Sequence, residues 1–88
     1  MRIRVIKDAV CGKAFIPAAE YWVSIHPEKG EFSLSSGGQD IHIKAIKRNP
    51  IGKGRITTIQ FYTGGGRTWS LVASTPKQGE WVAFLEYQ

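Results

Sequence analysis

The chain has 88 residues, of which 42% are hydrophobic and 11% aromatic, and its formal net charge is +5. This length accommodates one domain with one modest core, and aromatic and branched side chains spread along the whole sequence exclude an intrinsically disordered chain. No run of about twenty apolar residues is present, which excludes a membrane-spanning helix. The single cysteine, Cys11, cannot form an intramolecular disulfide, so we expect a cytoplasmic protein. The residues after Met1 carry positive charges without a following apolar core, so we expect no signal peptide.

Short alternating segments, separated by Gly, Pro or Asn, predict antiparallel β-strands rather than helices. The predicted strands are, in chain order, residues 2–7, 20–25, 31–35, 40–47, 55–63, 68–74 and 80–87. Residues 8–19, interrupted by Gly12 and Pro17, are predicted to form a long loop. Turns are predicted at residues 26–30, 37–40, 64–66 and 76–79, and a second loop rich in Gly and Pro at residues 49–54.

The alternation assigns one face of each strand to the core. The predicted inward side chains are Ile3, Val5, Tyr21, Val23, Ile25, Phe32, Leu34, Ile41, Ile43, Ala45, Thr57, Ile59, Phe61, Trp69, Leu71 and Ala73. The last strand differs, because Trp81, Ala83 and Leu85 compete with Val82 and Phe84 for the inside. Apolar residues on both faces indicate a central strand or one that bridges two sheets.

Six or seven short strands joined by short turns predict an all-β fold, a small antiparallel barrel or sandwich that forms a single domain over residues 1–88. An SH3-like barrel is the first choice, with residues 8–19 as the long loop after the first strand. An OB-like barrel is the second, because residues 48–54 are too few for the helix that such a fold usually carries. Closure into a barrel would also remove exposed sheet edges.

Positive charge is concentrated in one part of the sequence. Residues 41–79 contain no Asp or Glu and seven basic residues, which are Lys44, Lys47, Arg48, Lys53, Arg55, Arg67 and Lys77. Such a field attracts polyanions over about one Debye length, roughly 8 Å at physiological salt. If strands 40–47 and 55–63 pair as a hairpin, the first five of these cations gather at one end of a sheet. There, Gly52 and Gly54 would let backbone amides approach an anion. The alternative is a solvated hairpin whose lysines maintain solubility and protect a sheet edge.

Two aromatic side chains are predicted to lie on the outward side of their strands. Trp22 and Tyr62 fall on the polar side by alternation, as do His42 and Lys44. Rings interleaved with cations on a β surface suit single-stranded nucleic acid, since each base that stacks on a ring contributes roughly 1–3 kcal/mol. The alternative is that this face packs against a second sheet, which would place Trp22 in the core.

The remaining motifs do not indicate catalysis. Three glycines at residues 64–66 precede Arg67, but a strand follows them rather than the helix of a phosphate-binding loop, so we expect a hairpin turn. Cys11, His26 and His42 are too few for a zinc site, and the seven acids form no obvious acid–base pair. Cys11 with a histidine as base has no local sequence feature in its favour. We therefore expect no enzyme activity, no metal and no cofactor.

The function predicted from the sequence is a nucleic-acid-binding module, for RNA or DNA, that acts mainly through the phosphate backbone. The residues predicted to carry it are Lys44, Lys47, Arg48, Lys53, Arg55, Arg67, Trp22 and Tyr62. The alternative is a protein-interaction or oligomerisation module that binds a peptide or a partner strand. An anionic ligand or an anionic membrane surface would use the same basic loop.

Overall fold

The computed structural model describes residues 1–49, 56–63 and 66–88, and throughout these ranges the chain forms strands and turns without a helix. The strands are β1 (Arg2–Val5), β2 (Ala9–Cys11), β3 (Ala14–Ile16), β4 (Ala19–His26), β5 (Glu31–Ser36), β6 (Gln39–Lys44), β7 (Ile46–Asn49), β8 (Thr58–Thr63), β9 (Thr68–Thr75) and β10 (Gly79–Tyr87). Four strands form one sheet in the order β1-β4-β5-β6. Six form the other, in the order β3-β2-β10-β9-β8, with β7 also paired to β10.

All pairs are antiparallel, so the predicted all-β antiparallel fold in a small single domain is confirmed. The SH3-like and OB-like assignments stay predictions. Among the residues that the structure describes, no helix is long and apolar enough to cross a membrane.

The four-stranded sheet is built from the segments with the clearest alternation. In β4, Tyr21 and Val23 are each 3% exposed, while Trp22 between them is 58% exposed. Strands β4 and β5 form a hairpin through the turn at residues 27–30, where Gly30 has a φ of +64°. Glycine suits this position because a residue without a Cβ enters the left-handed region at little cost. The predicted strands at residues 20–25 and 31–35 are therefore confirmed, each to within one residue at either end.

Strand β10 is central to the six-stranded sheet. On one side it pairs with β9 from Gly79 to Glu86. On the other side it pairs with β7 as far as Val82 and with β2 from Glu86 onward. Val82 and Ala83 are both 2% exposed, although alternation points them to opposite faces of the sheet. The prediction that residues 80–87 form a central strand with apolar side chains on both faces is confirmed.

The two sheets are connected by a bend at Ala45. Residues 40–47 were predicted as one strand, and this is wrong, because β6 ends at Lys44 in the four-stranded sheet and β7 begins at Ile46 in the six-stranded sheet. The Ala45 amide donates to the carbonyl of Gly30 at 2.8 Å, in the β4–β5 turn, instead of joining a strand ladder. Alternation continues through the bend, so the sequence pattern contains no signal for it.

The predicted long loop at residues 8–19 is also wrong. It folds into the hairpin β2–β3, with Gly12 at φ +59° in its turn. Each strand has only three residues, too few for alternation to be visible in the sequence. The hairpin forms because β2 pairs with the edge of β10, where Val10 lies opposite Glu86. This hairpin and the bend at Ala45 bring the described strands to ten, against the six or seven predicted.

One core lies between the sheets and receives side chains from both. Its fully buried members include Phe32 and Leu34 from the four-stranded sheet and Leu71 and Leu85 from the six-stranded sheet, each 0% exposed. Trp69 is partly buried against this core. The inward faces predicted for these strands are therefore confirmed. The outer face of each sheet is left to solvent, and any binding surface has to be sought there or at the sheet edges.

Candidate functional site

Two described cations of the acid-free segment, Lys47 and Arg48, contact side chains from outside that segment. Arg48 forms an ion pair with Glu80, in which Nε lies 2.7 Å from Oε1. Lys44 lies opposite Glu31 in the β5–β6 register, and the Lys47 ammonium lies 5.6 Å from the centroid of the Trp81 ring. Strand β5 supplies Glu31, and β10 supplies Glu80 and the Trp81 ring. A segment of sequence without acids therefore does not form a surface without acids, because neighbouring strands contribute theirs.

Of the other predicted cations, only Arg67 lies within the residues that the structure describes. Lys53 and Arg55 lie outside the residues that the structure describes, and so do Gly52 and Gly54. Arg67 is exposed, and its carbonyl accepts a hydrogen bond from the Tyr87 amide at 2.9 Å. It therefore lies near the end of β10, whereas Arg48 pairs with Glu80 near its start. Seven residues of strand separate these points, which is roughly 24 Å.

The two predicted stacking rings are exposed on different sheets. Trp22 is 58% exposed on the four-stranded sheet, and Tyr62 is 47% exposed on the six-stranded sheet. The guanidinium of Arg2 lies 5.1 Å from the centroid of the Trp22 ring, and the Tyr62 hydroxyl donates to Gln60. Both rings face away from the core, so Trp22 is not a core residue. They do not border one common surface.

Acidic and basic groups are mixed on the outer face of the four-stranded sheet. The Glu20 carboxylate accepts from Arg2 at 2.9 Å and from Arg4 at 3.4 Å. Glu31 lies 3.2 Å from Nδ1 of His42. This face therefore presents Trp22 within a charge-balanced surrounding rather than a strongly basic one.

A serine, a histidine and a carboxylate lie in line near the β4–β5 turn. Nε2 of His26 is 3.0 Å from the Ser33 hydroxyl, and its Nδ1 is 3.7 Å from Glu28. The order matches that of a hydrolytic triad. However, Ser33 is only 8% exposed. We interpret the contact as one that satisfies a covered hydroxyl and orients the imidazole.

Cys11 is half-buried in β2, and burial raises the pKa of its thiol. A hydrogen bond from the Phe84 backbone amide opposes this rise but does not overcome it. Because the thiolate is the nucleophilic form, a raised pKa disfavours a nucleophilic role at neutral pH.

The outer face of the six-stranded sheet carries a continuous group of apolar side chains, which we call the apolar outer face. Its members are Ile46, Tyr62, Val72, Val82 and Phe84. The β-sheet register makes them neighbours: Val82 lies opposite both Val72 and Ile46, and Tyr62 and Phe84 flank Ser70. Ile46 is 62% exposed, Phe84 51% and Tyr62 47%. Of these residues only Tyr62 was among the predicted site residues. The sequence signals for the surface were the outward position of Tyr62 and the apolar residues on both faces of strand 80–87.

Comparison of the chain with protein-family models, with curated proteins and with solved structures finds no match.

Proposed function

We propose that the chain is a protein-interaction module that associates through the apolar outer face. The observation that supports this is the position of Ile46, Tyr62 and Phe84, each about half exposed or more, around Val72 and Val82 on one side of one sheet. Contiguous exposed apolar patches are uncommon on soluble monomers and mark interaction sites. Aromatic residues at the centre of such a patch are also the side chains that contribute most to interface energy.

The partner that suits this face best is a second copy of the chain. One end of the face holds the Arg48–Glu80 ion pair, and the other end holds Glu86. In a two-fold dimer with the β10 strands antiparallel, Glu86 of each copy would lie over the end of the other copy that carries Arg48. Most soluble homo-oligomers use such a two-fold, self-complementary interface.

Light scattering on the wild type and on Ile46→Asp and Phe84→Asp tests this proposal. We expect a dimer for the wild type and monomers for both variants, since each introduces an unpaired charge into the buried centre of the interface. Trp22→Ser is the matched control, because it removes an exposed aromatic ring from the other sheet, and it should leave the dimer intact. Circular dichroism verifies that each variant is folded. A wild type that stays monomeric at the highest concentration tested contradicts self-association.

Nucleic-acid binding is the second candidate, and the exposed Trp22 with Arg2 beside its ring favours it. Glu20, Glu31 and Glu80 already have basic partners, which leaves a net excess of cations. The residues that would carry this function are the eight predicted from the sequence.

A fluorescence titration with RNA, single-stranded DNA and duplex DNA at several salt concentrations tests the second candidate. Five or six phosphate contacts predict a log–log salt slope of roughly −4 to −5 on duplex DNA. Lys53→Glu combined with Arg55→Glu should weaken binding, while Lys7→Glu combined with Lys29→Glu serves as the charge-matched control outside residues 41–79. Binding that ignores salt rules this candidate out. In either case we place the module in the cytoplasm, because its single cysteine offers no intramolecular disulfide.

A further inference from the structure

A cleft of about 580 Å³ opens beside the β2–β3 hairpin. One wall is formed by residues 11–14 of the hairpin, and the other by residues 42–44 and Ile46 around the bend. Its floor is Ala83 and Phe84 of β10. The volume lies within the range of small-molecule pockets, roughly 300–1,000 Å³.

The cleft exists because β10 changes partners on this side. Its pairing with β7 ends at Val82 and its pairing with β2 begins at Glu86, so residues 83–85 have no strand partner in the ladder there among the described residues. The Phe84 backbone amide faces the Cys11 thiol there and lowers its pKa, against the larger effect of burial.

The charges around the cleft have one sign. Lys13 stands on the hairpin wall and Lys44 on the β6 wall, and none of the residues that line the cleft is acidic. Glu31 lies opposite Lys44 in the register, but its carboxylate is 3.2 Å from His42 Nδ1. An apolar floor between two lysines is complementary to a molecule with an apolar chain and one anionic head group.

We infer that this cleft binds an amphipathic monoanion of the alkyl carboxylate class. The alkyl chain lies against Ala83, Phe84 and Ile46, and the carboxylate lies between Lys13 and Lys44. This inference does not rest on the proposed self-association, but the two would compete, because Ile46 and Phe84 belong to both surfaces and a second copy would cover them. The titrations are therefore made at a protein concentration at which light scattering shows the monomer.

Calorimetric titration with decanoate, below its micelle concentration, tests the inference. Octanoate should bind less tightly, by roughly fourfold for each buried methylene that it lacks. Decyltrimethylammonium, which has the same chain and the opposite charge, should not bind. Equal affinity for the anionic and cationic amphiphiles would overturn the inference.

Charge-reversal variants locate the site. Lys13→Glu and Lys44→Glu should each weaken decanoate binding at least tenfold, whereas Lys29→Glu, in the β4–β5 turn, should leave it unchanged. Amide chemical shifts in an NMR titration should change at Ala83 and Phe84, and shifts confined to other strands contradict the assignment. Light scattering on the same samples separates the two proposals, because loss of decanoate binding with an unchanged oligomeric state affects only the cleft.

Discussion

Arg48 and Glu80 are 32 residues apart in the sequence and form an ion pair between the neighbouring strands β7 and β10. Glu80 also accepts a weaker hydrogen bond from Ser74 at 3.4 Å. The carboxylate therefore connects three adjacent strands of the six-stranded sheet. Its position explains why an acid-free stretch of sequence contributes less positive surface than its composition suggests.

Replacement of Glu80 by Gln should lower the free energy of unfolding by about 1 kcal/mol, since the carboxylate is only 20% exposed while its partner is largely solvated. Urea unfolding at low and at high salt measures this difference, which should shrink as salt screens the pair. Glu86→Gln, on the exposed side of the same strand, is the control and should change stability little. A difference that grows with salt would contradict an electrostatic origin.

Leu85→Ala should lower the free energy of unfolding by about 2–5 kcal/mol, because Leu85 is 0% exposed and its truncation leaves a cavity between the sheets. Phe84→Ala, one residue earlier and 51% exposed, should cost far less in the monomer. Urea denaturation of the two variants side by side compares the two faces of β10. Equal losses would mean that the alternation of this strand is assigned wrongly.

Gly30→Ala should destabilise the β4–β5 hairpin by about 1–2 kcal/mol, because Gly30 has a φ of +64°, which an L-residue adopts only at a cost. Crowding adds little, since the added Cβ would lie 3.5 Å from the Trp81 ring, an ordinary contact distance. Thermal unfolding measures the loss. Gly30→Asn is the informative comparison, because Asn tolerates this conformation better and should recover part of the stability.

The Cys11 thiol should react slowly with iodoacetamide at pH 8, because burial raises its pKa and keeps it protonated. The rate should increase on addition of urea. A folded thiol as reactive as one in an unfolded peptide contradicts this prediction.

The same pKa shift predicts a pH-dependent stability. The folded state holds the thiol proton more tightly than the unfolded state does, and this tighter binding stabilises the fold. The stabilisation is fully present at a pH below the pKa of the unfolded thiol, and it is lost as the pH rises through the pKa of the folded thiol. Relative to Cys11→Ala, the wild type should therefore lose stability above about pH 8.5. The pKa of Tyr21 is also raised, by burial and by Asp8. Because Tyr21 titrates in both proteins, it contributes equally to the pH dependence of each and does not affect the difference between them. If the difference in stability between the wild type and Cys11→Ala does not change with pH across this range, the thiol pKa is not raised.

Local alternation predicted the strands with a long and regular pattern and failed where tertiary pairing decides the structure. Residues 20–25 and 31–35 alternate strictly, and their faces were predicted correctly. The β2–β3 hairpin depends on the edge that β10 presents, more than seventy residues later in the chain. The bend at Ala45 depends on a carbonyl in another turn. Neither distant partner can be inferred from the local sequence at residues 8–19 or 40–47.

The prediction of the site was limited in the same way, because the local sequence does not show which strands are neighbours. Alternation placed Trp22 and Tyr62 outside, but only the sheet order shows that they lie on different sheets. The charge distribution along the sequence identified the cations, but the pairing of Arg48 with Glu80 follows only from the β7–β10 register. Ile46, on β7, becomes a neighbour of Val82 through that same register. The sequence therefore predicts which side chains are exposed better than which of them share a surface.

Strand β10 is the shared partner of β2, β7 and β9, and all three precede it in the sequence. During synthesis on the ribosome, these three strands emerge before the segment that joins them. The β4–β5–β6 meander can form early from local contacts, but the second half of the molecule has to wait for residues 79–87. Until then the chain exposes unpaired strands, and holding such segments soluble is a task for the nascent-chain chaperones of the cell.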